Sequence, residues 1–134
     1  MPTPHETNGM FSWFELMTDD IDGAKKFYGE VIGWQFETDR NNPDYTLVRI
    51  AESEMPIAGI YDKDKMMVDD PKAIPPHWGS YITVKDIAAA VGKVEKLGGR
   101  VIVPPTAIPK VGLFSVIQDP QGAVVSLMEY RLAL

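Results

Sequence analysis

The sequence has 134 residues and no cysteine. A chain without thiols forms no disulfide, offers no thiolate nucleophile and holds neither an iron–sulfur cluster nor a cysteine-ligated zinc ion. Such a composition suits a reducing compartment, so we expect a cytoplasmic protein. The first nine residues lack the basic and apolar regions of a signal peptide, and no apolar run approaches the length of about 18 residues needed to cross a membrane. We therefore expect no membrane partner.

Positive charge is also scarce. Thirteen Lys and Arg residues stand against nineteen Asp and Glu residues, which gives a net charge of −6. A chain of this charge does not attract a phosphate backbone, so nucleic acid is not an expected partner.

The length corresponds to a single domain, residues 1–134.

Two segments of the chain repeat the same pattern. A short apolar run around Trp13 leads into a helical stretch that ends at Gly33, and a similar run around Trp78 leads into one that ends at Gly98. Both pairs of residues are 65 positions apart, which indicates an internal repeat.

The periodicity of each half predicts a βαβββ module. Thr18-Asp19-Asp20 supplies candidate caps for a helix that begins near Ile21, and the matching helix runs from Ile87 to Leu97. Three β-like runs follow each helix, at 34–37, 45–50 and 57–61 and then at 101–103, 113–118 and 124–130. The predicted fold is α+β, with tandem modules at about 10–61 and 77–131 joined by a proline-rich linker at 62–76. One helix covers one face of each sheet, so the other face is left as a concave cup in a curled mixed sheet.

The residues that carry a family resemblance are the helix from Asp20 that ends in Ile32-Gly33-Trp34, the turn Leu97-Gly98-Gly99 and the turn Asp119-Pro120-Gln121-Gly122. Together they resemble the vicinal oxygen chelate superfamily, which includes glyoxalase I, bleomycin-resistance proteins and extradiol dioxygenases. The small proteins related to lactoylglutathione lyase are the most similar. The resemblance covers about residues 10–131 and implies a homodimer, which the exposed strand edges of a curled sheet also favour.

The resemblance also implies where a metal would be held. Members that use one bind it with His, Glu or Gln side chains from the first and last strands of each module. Four positions match here. In the first module they are Trp13 and one residue within 57–61, and in the second they are either Trp78 or Gly79, and Ser126. None of these is an ordinary metal ligand, so we expect no metal and no other cofactor.

The first strand supplies the main candidate for chemistry. Side chains alternate along a strand, so Glu15 shares the face of Trp13 and can reach the cup. Glu15 is either a general base or one partner of an ion pair, for example with Arg49. Trp13 and Trp78 are either two aromatic walls of a pocket or core residues. His77 is either a proton shuttle at the mouth of the cup or an exposed loop residue.

Four residues of the second module are predicted ligand contacts on the concave face: Tyr81, Thr83, Ser126 and Met128. Glu129 is an odd number of positions from Ser126 and should face the other side. The proline-rich stretch 104–112 reads as a loop, either a cover over the cup or a connector. His5 falls on an expected ragged N-terminus and receives no role.

The sequence thus predicts a metal-free protein that binds a small, partly apolar or aromatic organic molecule, and it leaves catalysis open. If the protein is an enzyme, the expected reaction is proton transfer or elimination beside a carbonyl, with Glu15 as base, Tyr81 or Ser126 as hydrogen-bond donor and His77 as a further candidate. One alternative is a sequestering protein of the bleomycin-resistance type. The net negative charge of this chain would then favour a cationic ligand. The other, implied by resemblance alone, is a metal-dependent lyase that acts on a hemithioacetal of glutathione.

Overall fold

The computed structural model describes residues 3–131. These residues form two compact units. The first unit is Trp13–Gly79, and the second joins residues 3–12 to residues 80–131. The stretch 62–76 belongs to the first unit and holds two single 3₁₀ turns, Lys63–Lys65 and Pro71–Ala73.

The sheet of the first unit has four strands and one helix. Its elements are β1 (Phe11–Thr18), α1 (Ile21–Val31), β2 (Gln35–Asp39), β3 (Asn42–Arg49) and β4 (Ala58–Asp62). The strand order is β2-β3-β4-β1, in which β1 and β4 run parallel and the other neighbours run antiparallel.

The second unit repeats this arrangement. Its elements are β5 (His77–Thr83, whose first three residues belong to the first unit), α2 (Ile87–Val91), β6 (Arg100–Ile108), β7 (Gly112–Gln118) and β8 (Val124–Tyr130), with a 3₁₀ turn at Glu95–Leu97. The strand order is β6-β7-β8-β5, and here β5 and β8 form the parallel pair. The predicted α+β fold of two βαβββ modules is confirmed.

Matching residues begin and end the two helical segments. The Asp20 carboxylate accepts from the Gly23 amide at 2.9 Å, and the Asp86 carboxylate accepts from the Ala89 amide at 3.0 Å. Each carboxylate satisfies an amide that has no partner within its helix. Gly33 and Gly98 follow the two segments with φ of +88° and +92°, which is the left-handed conformation that glycine tolerates best.

Two sequence predictions about the second unit were wrong. Residues 104–108 belong to β6 rather than to a loop. A short turn before Gly112 connects β6 to β7. Pro104 and Pro105 are accommodated in β6 for two reasons. β6 is the edge strand of the order, and its pairing with β7 shifts register between Val103 and Thr106. The second helix ends at Val91 rather than continuing to Leu97, and Gly92, a poor helix former, follows it directly.

The core of the first unit lies between its sheet and α1. It consists of Leu16, Val48, Ala58 and Ile60, against which Ile21 and Ala24 of the helix pack. Since these side chains occupy one face of the strands, alternation directs the neighbouring residues to the face without a helix. No helix within residues 3–131 is long and apolar enough to cross a bilayer.

Candidate functional site

The site is built on the face of the first unit's sheet that α1 does not cover, which we call the helix-free face. On β1, Leu16 belongs to the core beneath α1, so Trp13 and Glu15 point to the helix-free face. The register pairs Glu15 with Gly59 and pairs Tyr45 with Tyr61, so residues of three neighbouring strands share this face.

Three of these side chains are joined through one hydroxyl group. The Trp13 indole N–H donates to the Tyr45 hydroxyl at 2.7 Å, and that hydroxyl donates to Glu15 Oε2 at 2.7 Å. We call Trp13, Tyr45 and Glu15 the Tyr45 cluster. Glu15 is only 9% exposed, and a carboxylate this buried is costly to the fold unless it is hydrogen-bonded. The cluster therefore fixes the carboxylate in the sheet.

Gly59 makes the cluster possible. A Cβ atom placed on Gly59 would overlap the hydroxyl and ring carbons of Tyr45, so the phenol lies directly over the β4 backbone. A glycine inside a strand commonly marks such a close approach. That signal is present in the sequence, but its partner Tyr45 lies on another strand, and no local pattern connects the two residues.

The surroundings of the Tyr45 cluster are aromatic and negative. The ring of Tyr61 lies 6.1 Å from that of Tyr45. Burial raises the pKa of Tyr61, and the negative charges of Asp44, Glu15 and Asp62 raise it further, against an opposing effect from Lys65. Lys65 itself is paired with Asp44 at 2.9 Å.

Arg49, the example suggested as an ion-pair partner of Glu15, has other partners. Arg49 instead pairs with Glu37 of the neighbouring strand β2 and donates to the Glu54 carbonyl at 3.0 Å. The reason is topological, since β4 separates β3, which carries Arg49, from β1, which carries Glu15.

Trp78 has different neighbours from Trp13. Its indole N–H donates to the Tyr28 hydroxyl of α1 at 3.1 Å, and its ring lies 5.8 Å from that of Trp34. A cavity of about 290 Å³ opens beside it, lined by Phe14, Trp34, Ile57, Ala58 and Trp78. Trp34, Ile57 and Ala58 also belong to the core packed with α1, so the structure does not bring the two indoles together as walls of one pocket.

His77 is the first residue of β5 and lies beside Trp78. Its ring Nδ1 lies 2.9 Å from the Pro75 carbonyl oxygen, so one ring nitrogen is already engaged with the backbone. Its role as a proton shuttle stays a prediction.

The second unit brings together the other predicted ligand contacts. The register places Tyr81 beside Ser126 and Thr83 beside Met128, so all four share one face of that sheet. Glu129 accepts from the Ile87 amide at 3.0 Å, at the start of α2, and therefore lies on the other face, as alternation predicts.

The N-terminal segment packs against this second sheet, contrary to the expectation of a ragged end. The Thr83 hydroxyl donates to the Pro4 carbonyl at 2.8 Å, and the His5 ring lies 4.6 Å from the ring of Tyr130. Burial raises the pKa of Tyr130, and its 2.8 Å hydrogen bond with Ser12 partly offsets that rise. The Thr83 hydroxyl is thus engaged in holding the segment.

The residues do not fit the metal that some vicinal oxygen chelate proteins hold. Within residues 3–131, no three His, Asp or Glu side chains lie close enough together to grip an ion. The indole of Trp13 only donates, and it donates to Tyr45. Gly59 has no side chain, and the phenol of Tyr45 takes up the space beside it.

Two βαβββ units, each with a parallel pair formed by its first and last strands, define the class of fold. The model of the Glyoxalase/Bleomycin resistance protein/Dioxygenase superfamily matches residues 10–127. The chain belongs to this superfamily, and the resemblance stated from the sequence is confirmed.

Individual relatives agree with the family. The chain is 36% identical over 128 residues to the "Putative glyoxylase CFP32" of Mycobacterium tuberculosis, covering 90% of this chain and 46% of that protein. It is 32% identical over 126 residues to the anthracycline biosynthesis protein DauV of a Streptomyces species, covering 93% of this chain and 43% of that protein. The chain thus spans less than half the length of these relatives. The methylmalonyl-CoA epimerase of Mycobacterium tuberculosis is similar in fold, with a TM-score of 0.61 at 16% identity over 98% of this chain and 92% of that one.

Proposed function

We propose that the helix-free face of the first unit binds a small, partly aromatic organic molecule without a metal ion. The observation that carries this proposal is the Tyr45 cluster, which holds a buried carboxylate among aromatic rings. Small-molecule sites commonly combine apolar and aromatic walls with a few fixed polar groups, and this face has that composition.

Each part of the face has a physical role in this binding. The half-buried rings of Trp13 and Tyr61 offer flat apolar surface on which a planar ligand packs. The Glu15 carboxylate is an acceptor for a hydroxyl or amine of the ligand, because a carboxylate has room for several hydrogen bonds. Since Tyr45 holds Glu15 before a ligand arrives, little side-chain entropy is lost on binding.

The relatives support an aromatic ligand. One of them, DauV, is described as an anthracycline biosynthesis protein, and anthracyclines contain fused planar rings. The family description also names bleomycin-resistance proteins. A purely sequestering role needs only the binding step and is therefore contained in this proposal.

Proton transfer beside a carbonyl is a second candidate function, favoured by the burial of Glu15. In this reaction Glu15 takes a proton from the carbon next to a ligand carbonyl. The electron pair of the broken C–H bond forms a C=C bond, and the π pair of the carbonyl moves onto its oxygen. Glu15 then returns the proton to carbon. A base placed in this way typically contributes about 10²–10⁴-fold to the rate.

The substitution Glu15→Gln tests both functions. The amide keeps the size of the side chain and can still accept from Tyr45, but it removes the charge. Titration of the wild-type protein with quinizarin, a planar hydroxyanthraquinone, should quench tryptophan fluorescence saturably. Glu15→Gln should weaken binding about tenfold or more, because a hydrogen bond to a charged group is worth about 1.5–3 kcal/mol.

Glu52→Gln is the matched control, since Glu52 is exposed and lies outside the site. It should bind quinizarin like the wild type. An unchanged affinity in Glu15→Gln, or no saturable binding by the wild type, contradicts the proposed site.

Deuterium exchange at the α-carbon of a 1,3-diketone, followed by NMR, separates the two candidate functions, binding alone and proton transfer. Exchange that the wild type accelerates and Glu15→Gln abolishes identifies a base, whereas binding without exchange identifies a binding protein.

A further inference from the structure

Tyr61 lies beside the Tyr45 cluster on the helix-free face of the first unit. It is near the end of β4, and the register pairs it with Tyr45 on β3 and with Met17 on β1. The rings of Tyr61 and Tyr45 are 6.1 Å apart. The ring of Tyr61 already has a part in the proposed function, but its hydroxyl group has none.

The Tyr45 cluster itself has no hydrogen left to donate to a ligand. A phenol and an indole carry one polar hydrogen each, and a carboxylate only accepts. The indole hydrogen of Trp13 goes to Tyr45, and the hydroxyl hydrogen of Tyr45 goes to Glu15. The cluster can therefore accept a hydrogen bond from a ligand but cannot donate one to it.

The Tyr61 hydroxyl is a donor that is still available on this face. In the part of the chain that the structure describes, this hydroxyl makes no hydrogen bond. Burial raises the pKa of Tyr61, so the phenol keeps its proton at neutral pH. The register also places Met17 and Leu47 on this face, and neither side chain carries a polar hydrogen. Arg49 lies at the end of β3 away from Tyr61 and is paired with Glu37.

We propose that the Tyr61 hydroxyl donates a hydrogen bond to a carbonyl oxygen of the ligand, while Glu15 accepts one from a ligand hydroxyl. The ligand class is then a planar aromatic molecule that carries both a hydroxyl and a carbonyl group, one for each residue. This inference rests on the proposed function of the helix-free face and adds the donor that the Tyr45 cluster lacks.

The spacing of the two residues suits such a ligand. Glu15 pairs with Gly59, and Tyr61 lies two positions further along β4. Neighbouring strands are about 4.8 Å apart and two residues along a strand span about 6.6 Å, so the two backbone positions are separated by on the order of 8 Å. One small molecule bridges a separation of this size by making a hydrogen bond of about 2.6–3.2 Å to each residue.

The same hydroxyl would serve the proton-transfer candidate. The carbonyl oxygen gains negative charge when Glu15 takes a proton from the neighbouring carbon, and a donor that is already in place stabilises this charge. The sequence suggested Tyr81 or Ser126 for this role, and both belong to the second unit. Tyr61 belongs to the same unit as Glu15.

Three probes separate the two hydrogen bonds. Quinizarin carries hydroxyl and carbonyl groups, 2-naphthol carries a hydroxyl alone and 2-acetonaphthone carries a carbonyl alone. Quenching of tryptophan fluorescence measures the affinity for each. Tyr61→Phe, which keeps the ring, should weaken the binding of quinizarin and 2-acetonaphthone about three- to tenfold, the usual effect of losing a neutral hydrogen bond, and leave 2-naphthol unchanged. Glu15→Gln should weaken quinizarin and 2-naphthol and leave 2-acetonaphthone unchanged.

Tyr28→Phe is the matched control, since it removes a phenol hydroxyl from α1, which packs on the other face of the same sheet. It should bind all three probes like the wild type, and circular dichroism verifies that each variant is folded.

An unchanged affinity of Tyr61→Phe for 2-acetonaphthone overturns the role of Tyr61, and the proposed function stands if Glu15→Gln still weakens quinizarin. An equal loss for 2-naphthol and 2-acetonaphthone in Tyr61→Phe also overturns it, because the ring rather than the hydroxyl then makes the contact. A wild-type protein that binds none of the probes overturns both proposals.

Discussion

Replacing Gly59 with alanine is expected to disrupt the Tyr45 cluster and to lower the free energy of unfolding by about 1–3 kcal/mol, the usual cost of overpacking. The added methyl group would occupy the position of the Tyr45 phenol. The phenol must then swing away from β4, and the hydrogen bonds to Trp13 and Glu15 are lost with it. Because Glu15 stays buried, the loss of this hydrogen bond adds to the strain.

Urea denaturation of four proteins measures this effect: the wild type, Gly59→Ala, Tyr45→Ala and the double variant. If the clash is the cause, Gly59→Ala should cost far less in the Tyr45→Ala background than in the wild type. Gly79→Ala is the control, because its nearest neighbour would be the Glu15 carbonyl oxygen at 3.9 Å, an ordinary contact distance. A Gly59→Ala penalty that is equal in both backgrounds argues against the packing of Tyr45 over Gly59.

Replacing Ile60 with alanine is expected to lower the free energy of unfolding by about 2–5 kcal/mol, the range for emptying a packed core site. Ile60 is fully buried between Leu16, Val48 and Ala58 under α1. Val124→Ala, at a position 55% exposed, should change stability by less than about 0.5 kcal/mol.

Gly59→Ala and Ile60→Ala act on opposite faces of one strand. Gly59 and Ile60 are adjacent in β4, but one lies under Tyr45 and the other lies under the helix. Ile60→Ala should therefore keep the quinizarin affinity at temperatures where the protein is folded, whereas Gly59→Ala should lose it. Loss of binding in folded Ile60→Ala would show that the site depends on the core as well as on the Tyr45 cluster.

The sequence predicted the features that depend on local pattern. The start of the first helix after Thr18-Asp19-Asp20, the glycines Gly33 and Gly98 that follow the two helical segments, and the repeat of four strands all follow from residue types at fixed spacing. Alternation also placed Glu15 with Trp13 and set Glu129 on the face opposite Ser126.

The features that the sequence does not predict depend on contacts between distant residues. Tyr45 and Gly59 are partners only because β3 and β4 pair in a particular register, which no local pattern reveals. The prolines of β6 suggested a loop because their tolerance depends on an edge position that is known only once the strand order is known. The docking of His5 on Tyr130 likewise joins the two ends of the described segment.

We propose that a hydrogen-bonded carboxylate, rather than a metal centre, organises the helix-free face. Isothermal titration calorimetry of the wild-type protein with Zn²⁺ and with Ni²⁺ tests it most directly, because both ions bind readily to nitrogen and oxygen ligands. We expect no saturable one-to-one binding of either ion. Stoichiometric binding of either ion that Glu15→Gln abolishes would contradict it and would place a metal where the Tyr45 cluster now stands.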